Sequence, residues 1–186
     1  MCIRDSVKLD EWQFSNYKKQ WYLANHYDYK YNAQGLLTGY SKSVYYGADL
    51  TPLEDYEYSY DEQRRKSSVE VYDYSRDMTM RRIEYSYTEQ GLLSRLSDYK
   101  VLSSEGLTEA IRSDYSYTEE GQLTEIKVYT RQGSTLQLDK TKRYQYDADG
   151  ACSKMEVYEV GIDFPTVIYK YTSDKTLLQE LSLIHI

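Results

Sequence analysis

Few residues in this 186-residue chain have the chemistry for catalysis or metal binding, and their spacing argues against most reactions. His26, in "NHYDY", sits beside Asp28 and is the one candidate general base of its type; no serine is marked as its nucleophile, so it reads as a strand-surface histidine. Glu119–Glu120 and Asp147–Asp149 are paired carboxylates, but both pairs fall in turn-like runs rather than facing across a cleft as glycoside hydrolysis requires. "DADG" at 147–150 resembles the start of a calcium loop without the downstream bidentate glutamate, and reads as a plain turn. The basic clusters "EQRRK" (62–66) and "RR" (81–82) read as solvated charge on loops or edges. With no cluster of cysteine and histidine there is no structural zinc pattern. The expectation is a chain without catalytic residues, metal or cofactor.

What must position these groups is set by tyrosine. The chain has 24 Tyr against 2 Phe and 2 Trp. Tyr favours strands and packs its ring while the hydroxyl stays hydrated, so this bias predicts half-wet sheet surfaces rather than a deep apolar interior. The net charge of −7 argues against a nucleic-acid groove, which needs a basic face. No apolar run is long enough to span a membrane as a helix.

The two ends do not share this character. "MCIRDS" (1–6) and "LSLIHI" (181–186) back-translate to ATG TGT ATA AGA GAC AGC and CTG TCT CTT ATA CAC ATC, strings that are nearly reverse complements. They resemble a transposon mosaic-end sequencing adapter translated at both ends of an insert. This predicts that residues 7–180 are an internal piece of a longer protein and that 1–6 and 181–186 are adapter-encoded rather than natural sequence. Cys152 and His26 are then the only natural Cys and His.

Between the ends one unit recurs. Its anchor is the second tyrosine of a Tyr-polar-Tyr pair: Tyr31, Tyr60, Tyr87, Tyr117, Tyr146 and Tyr171, spaced 25 to 30 residues apart. Two residues before the anchors stand Tyr29, Tyr58, Tyr85, Tyr115, Tyr144 and Tyr169. Four residues after them come Gly35, Arg64, Gly91, Gly121, Gly150 and Lys175; six after come Leu37, Lys66, Leu93, Leu123, Cys152 and Leu177. Alternation in "HYDYKY" and "DYEYSY" reads as a half-buried strand, and the glycine as the positive-φ position of a hairpin loop. Each unit is thus a β-hairpin, and the Arg64 and Lys175 loops should differ or carry strain. A two-residue turn would set Tyr58 opposite Val69, Tyr85 opposite Leu96, Tyr115 opposite Ile126 and Tyr144 opposite Met155, with the Leu column on the wet face. A three-residue loop with a glycine bulge would instead set Leu123 opposite Tyr117 and require a second bulge before Ile126. The recurrence of leucine favours that version. "SSEGLTEA", "RQGSTLQLD" and "GIDFPT" read as longer connections between hairpins, with Pro52 and Pro165 both in connecting segments, and no stretch has helical periodicity.

The pattern Tyr-x-Tyr-[DTN]-x-x-Gly-x-Leu, as in "YKYNAQGLL" and "YQYDADGAC", resembles the tyrosine-aspartate (YD, RHS-type) repeat of bacterial surface and secreted proteins, and also the longer Tyr-rich hairpin repeats of Bacteroidetes-type lipoproteins. The period here is longer than the YD unit, and the post-anchor aspartate is kept only at Asp61 and Asp147. The resemblance implies an all-β array of about six tandem antiparallel hairpins in one continuous curved sheet, exported to the cell surface or secreted. It further implies a non-catalytic structural or encapsulating role, with the remainder of the parent chain as partner. The alternative is a binding module for cell-surface carbohydrate or protein. The residues that decide between them are two tyrosine rows, Tyr29, Tyr58, Tyr85, Tyr115 and Tyr144 beside Tyr31, Tyr60, Tyr87, Tyr117 and Tyr146, held by the turn glycines Gly35, Gly91, Gly121 and Gly150. A buried row is the repeat's own packing; an open one is a platform for a ligand.

Overall fold

A computed structural model describes residues 6–104, 106–171 and 177–182. Among these residues there are thirteen strands and no helix. The protein is all-β, and its strands lie in one antiparallel sheet whose order follows the chain. They are β1 (Ser6–Ser15), β2 (Gln20–Tyr31), β3 (Leu37–Tyr46), β4 (Asp49–Tyr60), β5 (Lys66–Asp73), β6 (Met78–Tyr87), β7 (Leu93–Ser103), β8 (Gly106–Tyr117), β9 (Leu123–Gln132), β10 (Thr135–Tyr146), β11 (Cys152–Glu159), β12 (Val167–Tyr171) and β13 (Leu177–Ser182). The chain divides into two compact units. One runs up to Glu84 and includes Tyr99–Thr108; the other comprises Tyr85–Asp98 and the chain from Glu109 onward.

The hairpin register follows the bulged alternative. Tyr58 faces Val69, Tyr115 faces Ile126 and Tyr144 faces Met155, while Tyr60 faces Lys66, Tyr117 faces Leu123 and Tyr146 faces Cys152. The ladder shifts by one residue just before each of these anchors, between Ser59 and Tyr60, Ser116 and Tyr117, and Gln145 and Tyr146. One residue per hairpin is therefore extruded as a bulge, which reconciles the odd spacing from Leu123 to Ile126 with a single inward face.

Two expectations about the connections do not hold. "RQGSTLQLD" and "SSEGLTEA" are strand–turn–strand: β9 reaches Gln132, β10 resumes at Thr135, and only Gly133 and Ser134 lie between. Likewise β7 ends at Ser103 and β8 begins at Gly106. Gly133 (φ 61°), like Gly47 (φ 68°) between β3 and β4, gives the two-residue turn its positive φ, so pairing continues to the tip. Pro52 lies inside β4, opposite Ser43 at a register shift, the kind of irregular position where strands accommodate proline. "GIDFPT" does remain a connection, pinned where the Thr166 amide donates to the Val157 carbonyl at 2.7 Å. The Lys175 turn lies outside the described residues.

The interior is thin. Ala24 and Val69 are the only buried apolar side chains among the described residues, against buried polar Ser97, Asp98, Thr141, Glu156 and Thr166. Burial comes instead from partial cover of many rings.

Candidate functional site

The loops after the anchors are built alike. The amide one residue after the anchor donates to the carbonyl five after it, as in Thr118 to Gln122 (2.8 Å), and the amide four after donates back, as in Gly121 to Thr118 (3.1 Å). Asn32, Asp61, Thr88 and Asp147 open identical loops. The side-chain oxygen at that position accepts the amide at the loop's end: Leu36 on Asn32, Arg65 on Asp61, Leu92 on Thr88, Gln122 on Thr118 and Ala151 on Asp147. This is the physical content of the Asp/Thr/Asn choice, since each offers a short acceptor to a turn amide. It also occupies Asp147 Oδ1 within the "DADG" turn, with amide donors from Asp149 (3.1 Å) and Ala151 (2.9 Å). Gly35, Gly91, Gly121 and Gly150 take φ between 78° and 85°. Arg64 takes φ 62° in the same loop, so that turn does not differ in form but forces a side chain into the left-handed region.

The residue seven after the anchor is Ser or Thr in the first five units (Thr38, Ser67, Ser94, Thr124 and Ser153) and Leu178 in the last, a regularity that the sequence reading passed over. Its hydroxyl donates to the carbonyl just before the anchor: Thr38 to Lys30 (3.2 Å), Thr124 to Ser116 (3.0 Å) and Ser153 to Gln145 (3.2 Å). Each of these carbonyls lies at the register shift, and the hydroxyl gives it a further donor.

The anchor tyrosines tie one hairpin to the one before. Tyr60 Oη donates to the Leu37 carbonyl (2.6 Å), Tyr117 Oη to Leu93 (2.8 Å) and Tyr146 Oη to Leu123 (2.8 Å). Each acceptor is the residue six after the preceding anchor. Phenylalanine would fill the same space and leave that carbonyl without its donor, which accounts for tyrosine at this position.

Every tyrosine of the two rows is half-buried: Tyr29, Tyr31, Tyr58, Tyr60, Tyr85, Tyr87, Tyr115, Tyr117, Tyr144 and Tyr146. Burial, first among the causes, raises the phenol pKa of Tyr115, Tyr117 and Tyr146 and pushes Tyr144 up to about 12. In the first compact unit the row is enlarged to a cluster. Tyr40, opposite Tyr29, stacks on Tyr56 with centroids 4.3 Å apart and planes 11° from parallel, and Tyr27, Tyr29 and Tyr58 lie within 6.5 Å of it. Gly39 allows this approach: a Cβ there would sit 2.4 Å from the Tyr56 carbonyl oxygen. At the neighbouring hairpin Lys66 replaces leucine and lays its ammonium 4.6 Å from the Tyr58 ring centroid.

The opposite sense of the strands carries a third tyrosine column, at twelve residues after the anchors: Tyr72, Tyr99, Tyr129 and Tyr158. The sequence reading centred on the turns and missed it, although the 27- to 30-residue spacing was there to find. An arginine covers three of these rings, with Cζ to centroid distances of 5.1 Å for Arg82 on Tyr99, 4.9 Å for Arg112 on Tyr129 and 4.8 Å for Arg143 on Tyr158. Carboxylates hold the guanidinium groups in place: Glu84 is 3.1 Å from Arg82 and Glu125 is 3.4 Å from Arg143. His26 packs at 2.7 Å from Asp10 and edge-on to Tyr45, whose hydroxyl also donates to Asp10 (3.3 Å). Its close carboxylate partner is thus Asp10 on the adjoining strand. Among the described residues no group of three or more His, Cys, Asp or Glu side chains is placed to hold a metal.

These features define a class: an all-β protein of tandem antiparallel hairpins joined through tyrosine hydroxyls. No family model matches the chain, and no curated protein matches it. Among solved structures it is similar to a chain of the Photorhabdus luminescens Tc holotoxin pore at 15% identity and TM-score 0.48, covering 80% of this chain and 9% of that one. A TcdB2–TccC3–TEV structure is similar at 15% identity and TM-score 0.48, covering 94% and 10%. A Bacteroides fragilis protein of unknown function is similar at 14% identity and TM-score 0.28, covering 95% and 92%. The chain spans about a tenth of the length of the two toxin-related chains.

Proposed function

We propose that the chain is a non-catalytic structural segment of an exported bacterial repeat protein, its hairpins forming part of a shell or stalk for the remainder of the parent chain. The observation that carries this reading is the tyrosine staple. A hairpin with almost no buried apolar side chain of its own is held by a hydroxyl reaching its predecessor, as expected of a one-dimensional array whose units stabilise their neighbours. The tyrosine rows serve this packing. Sequencing outward in the source DNA from the codons of Val7 and Glu180 tests the reading: further Tyr-polar-Tyr units are expected on both sides, and a native start and stop flanking this stretch would overturn it.

A second reading, a binding module for carbohydrate or protein at the cell surface, is favoured by one observation. Trp12, Phe14 and Trp21 are exposed on one face of β1 and β2, with Phe14 opposite Trp21 and edge-on to it at 5.4 Å. Both tryptophans of the chain lie there, so their fluorescence reports on this patch. A saturable blue shift with soluble oligosaccharides would establish binding; an unchanged spectrum leaves the scaffold reading alone.

A further inference from the structure

The third tyrosine column is covered by an arginine at three positions and lacks one at the fourth. Tyr129 lies directly opposite Arg112, five residues before its anchor, and the guanidinium rests on the ring. Tyr72 lies directly opposite the equivalent residue, also five before its anchor, and that residue is Asp55. Where Arg143 stands three before its anchor over Tyr158, the Tyr72 hairpin has Glu57. An arginine at one of these two positions covers the tyrosine in three hairpins; here both positions are acidic.

The result is a concavity of about 360 Å³ lined by Asp55, Glu57, Glu70, Tyr72, Tyr74 and Thr79. Its two rings meet edge to face at 5.2 Å, and each is fixed by its hydroxyl, Tyr74 to Asp55 (2.7 Å) and Tyr72 to Asp77. Asp55 Oδ1 is buried without a hydrogen-bond partner. Arg82 lies 4.0 Å from Glu70 on the rim, and its guanidinium faces Tyr99 and Glu84. A tyrosine face rimmed by carboxylates, with one carboxylate oxygen lacking a donor, is complementary to a planar group that is cationic, donates several hydrogen bonds and stacks. The neighbouring hairpins show which group this geometry accepts.

We propose that the Asp55–Tyr72 concavity is a binding site for an arginine side chain of a partner polypeptide, which takes the place that Arg82, Arg112 and Arg143 fill from within. The inference rests on the register of the hairpins and not on the export or scaffold reading.

The test is NMR titration of the isotopically labelled full chain with acetyl-glycyl-arginyl-glycinamide at physiological ionic strength, with the lysine analogue in parallel. Saturable shifts at the Tyr72 and Tyr74 rings, and an affinity several-fold higher for arginine than lysine, are expected. Asp55→Arg supplies the missing guanidinium in cis and should abolish the shifts. Asp55→Asn, which still accepts from Tyr74, should weaken binding at least threefold, and Tyr72→Leu should remove the preference for arginine; these two keep the test decisive if Asp55→Arg does not fold. No saturable shift, or equal affinity for the lysine peptide, overturns the proposal, the latter because a merely acidic surface does not discriminate between the two cations.

Discussion

Removing the anchor hydroxyls isolates the staple from the packing. Tyr60→Phe, Tyr117→Phe and Tyr146→Phe keep the ring that covers the neighbouring hairpin and delete only Oη, which donates at 2.6 to 2.8 Å to Leu37, Leu93 and Leu123. A net intramolecular hydrogen bond contributes roughly 0.5–1.5 kcal/mol, and a carbonyl left partly buried without its donor moves the loss toward the upper end. The rings are half-buried, so water reaches the freed carbonyl in part, and about 1 kcal/mol per site is expected. The three bonds share no partners, so the triple variant should lose about 3 kcal/mol, a large part of the roughly 5–15 kcal/mol available to a domain. Urea melts followed by circular dichroism give the measurement. The midpoint should fall with the slope unchanged, because the surface exposed on unfolding is the same. Tyr17→Phe, at a ring that is 95% exposed, is the control and should be silent. A triple variant within about 0.5 kcal/mol of the parent, the range of an indifferent surface change, would show that tyrosine is present for its ring alone and that the hydroxyls do not join the units.

Three further outcomes follow from the geometry. Arg64→Gly relieves a left-handed side chain in a loop whose counterparts carry glycine, and should stabilise by about 1 kcal/mol, raising Tm by roughly 2–4 °C in a calorimetric scan. Gly39→Ala drives a methyl against the Tyr56 carbonyl and should destabilise by about 1–3 kcal/mol while weakening the near-ultraviolet signal of the stacked Tyr40–Tyr56 pair. In alkali, burial raises the phenol pKa of Tyr40, Tyr115 and Tyr144 above 10, so folding favours their protonated forms. Their contribution is complete below pH 10 and is lost as pH climbs through the folded values, near 12 for Tyr144. Phenolate absorbance of the native chain should therefore lag that of the urea-unfolded chain from pH 10 upward; coincident curves would refute this.

The turns were legible in the sequence because their chemistry is local. Tyr-polar-Tyr, a short acceptor, a glycine and a leucine fix strand, loop and bulge within about ten residues, and the pairing of Tyr115 with Ile126 follows from counting. What lay beyond the hairpin was harder to read. The second set of turns carries a lone glycine, as at Gly133, or none, as at Asp77, and the polar run "STLQLD" after Gly133 concealed the start of a long strand. Tyr40 among five rings, Tyr72 opposite Asp55, and the reach of Tyr117 to Leu93 depend on which strands lie side by side, and a single strand's alternation does not contain that information. The serine or threonine at five of the six positions was visible in the letters, but its purpose appeared only once the Thr124 hydroxyl was seen to donate to the Ser116 carbonyl at the register shift.

The staple has a direction. In each observed case the later tyrosine supplies the proton and the earlier hairpin supplies the oxygen, never the reverse. A hairpin emerging from a ribosome or a secretion channel, amino terminus first, therefore meets an acceptor that is already in place. It needs nothing from the chain still to come. Such an array assembles in the order it is delivered, each turn closing on the last, without holding a long unfinished sheet open to wrong partners.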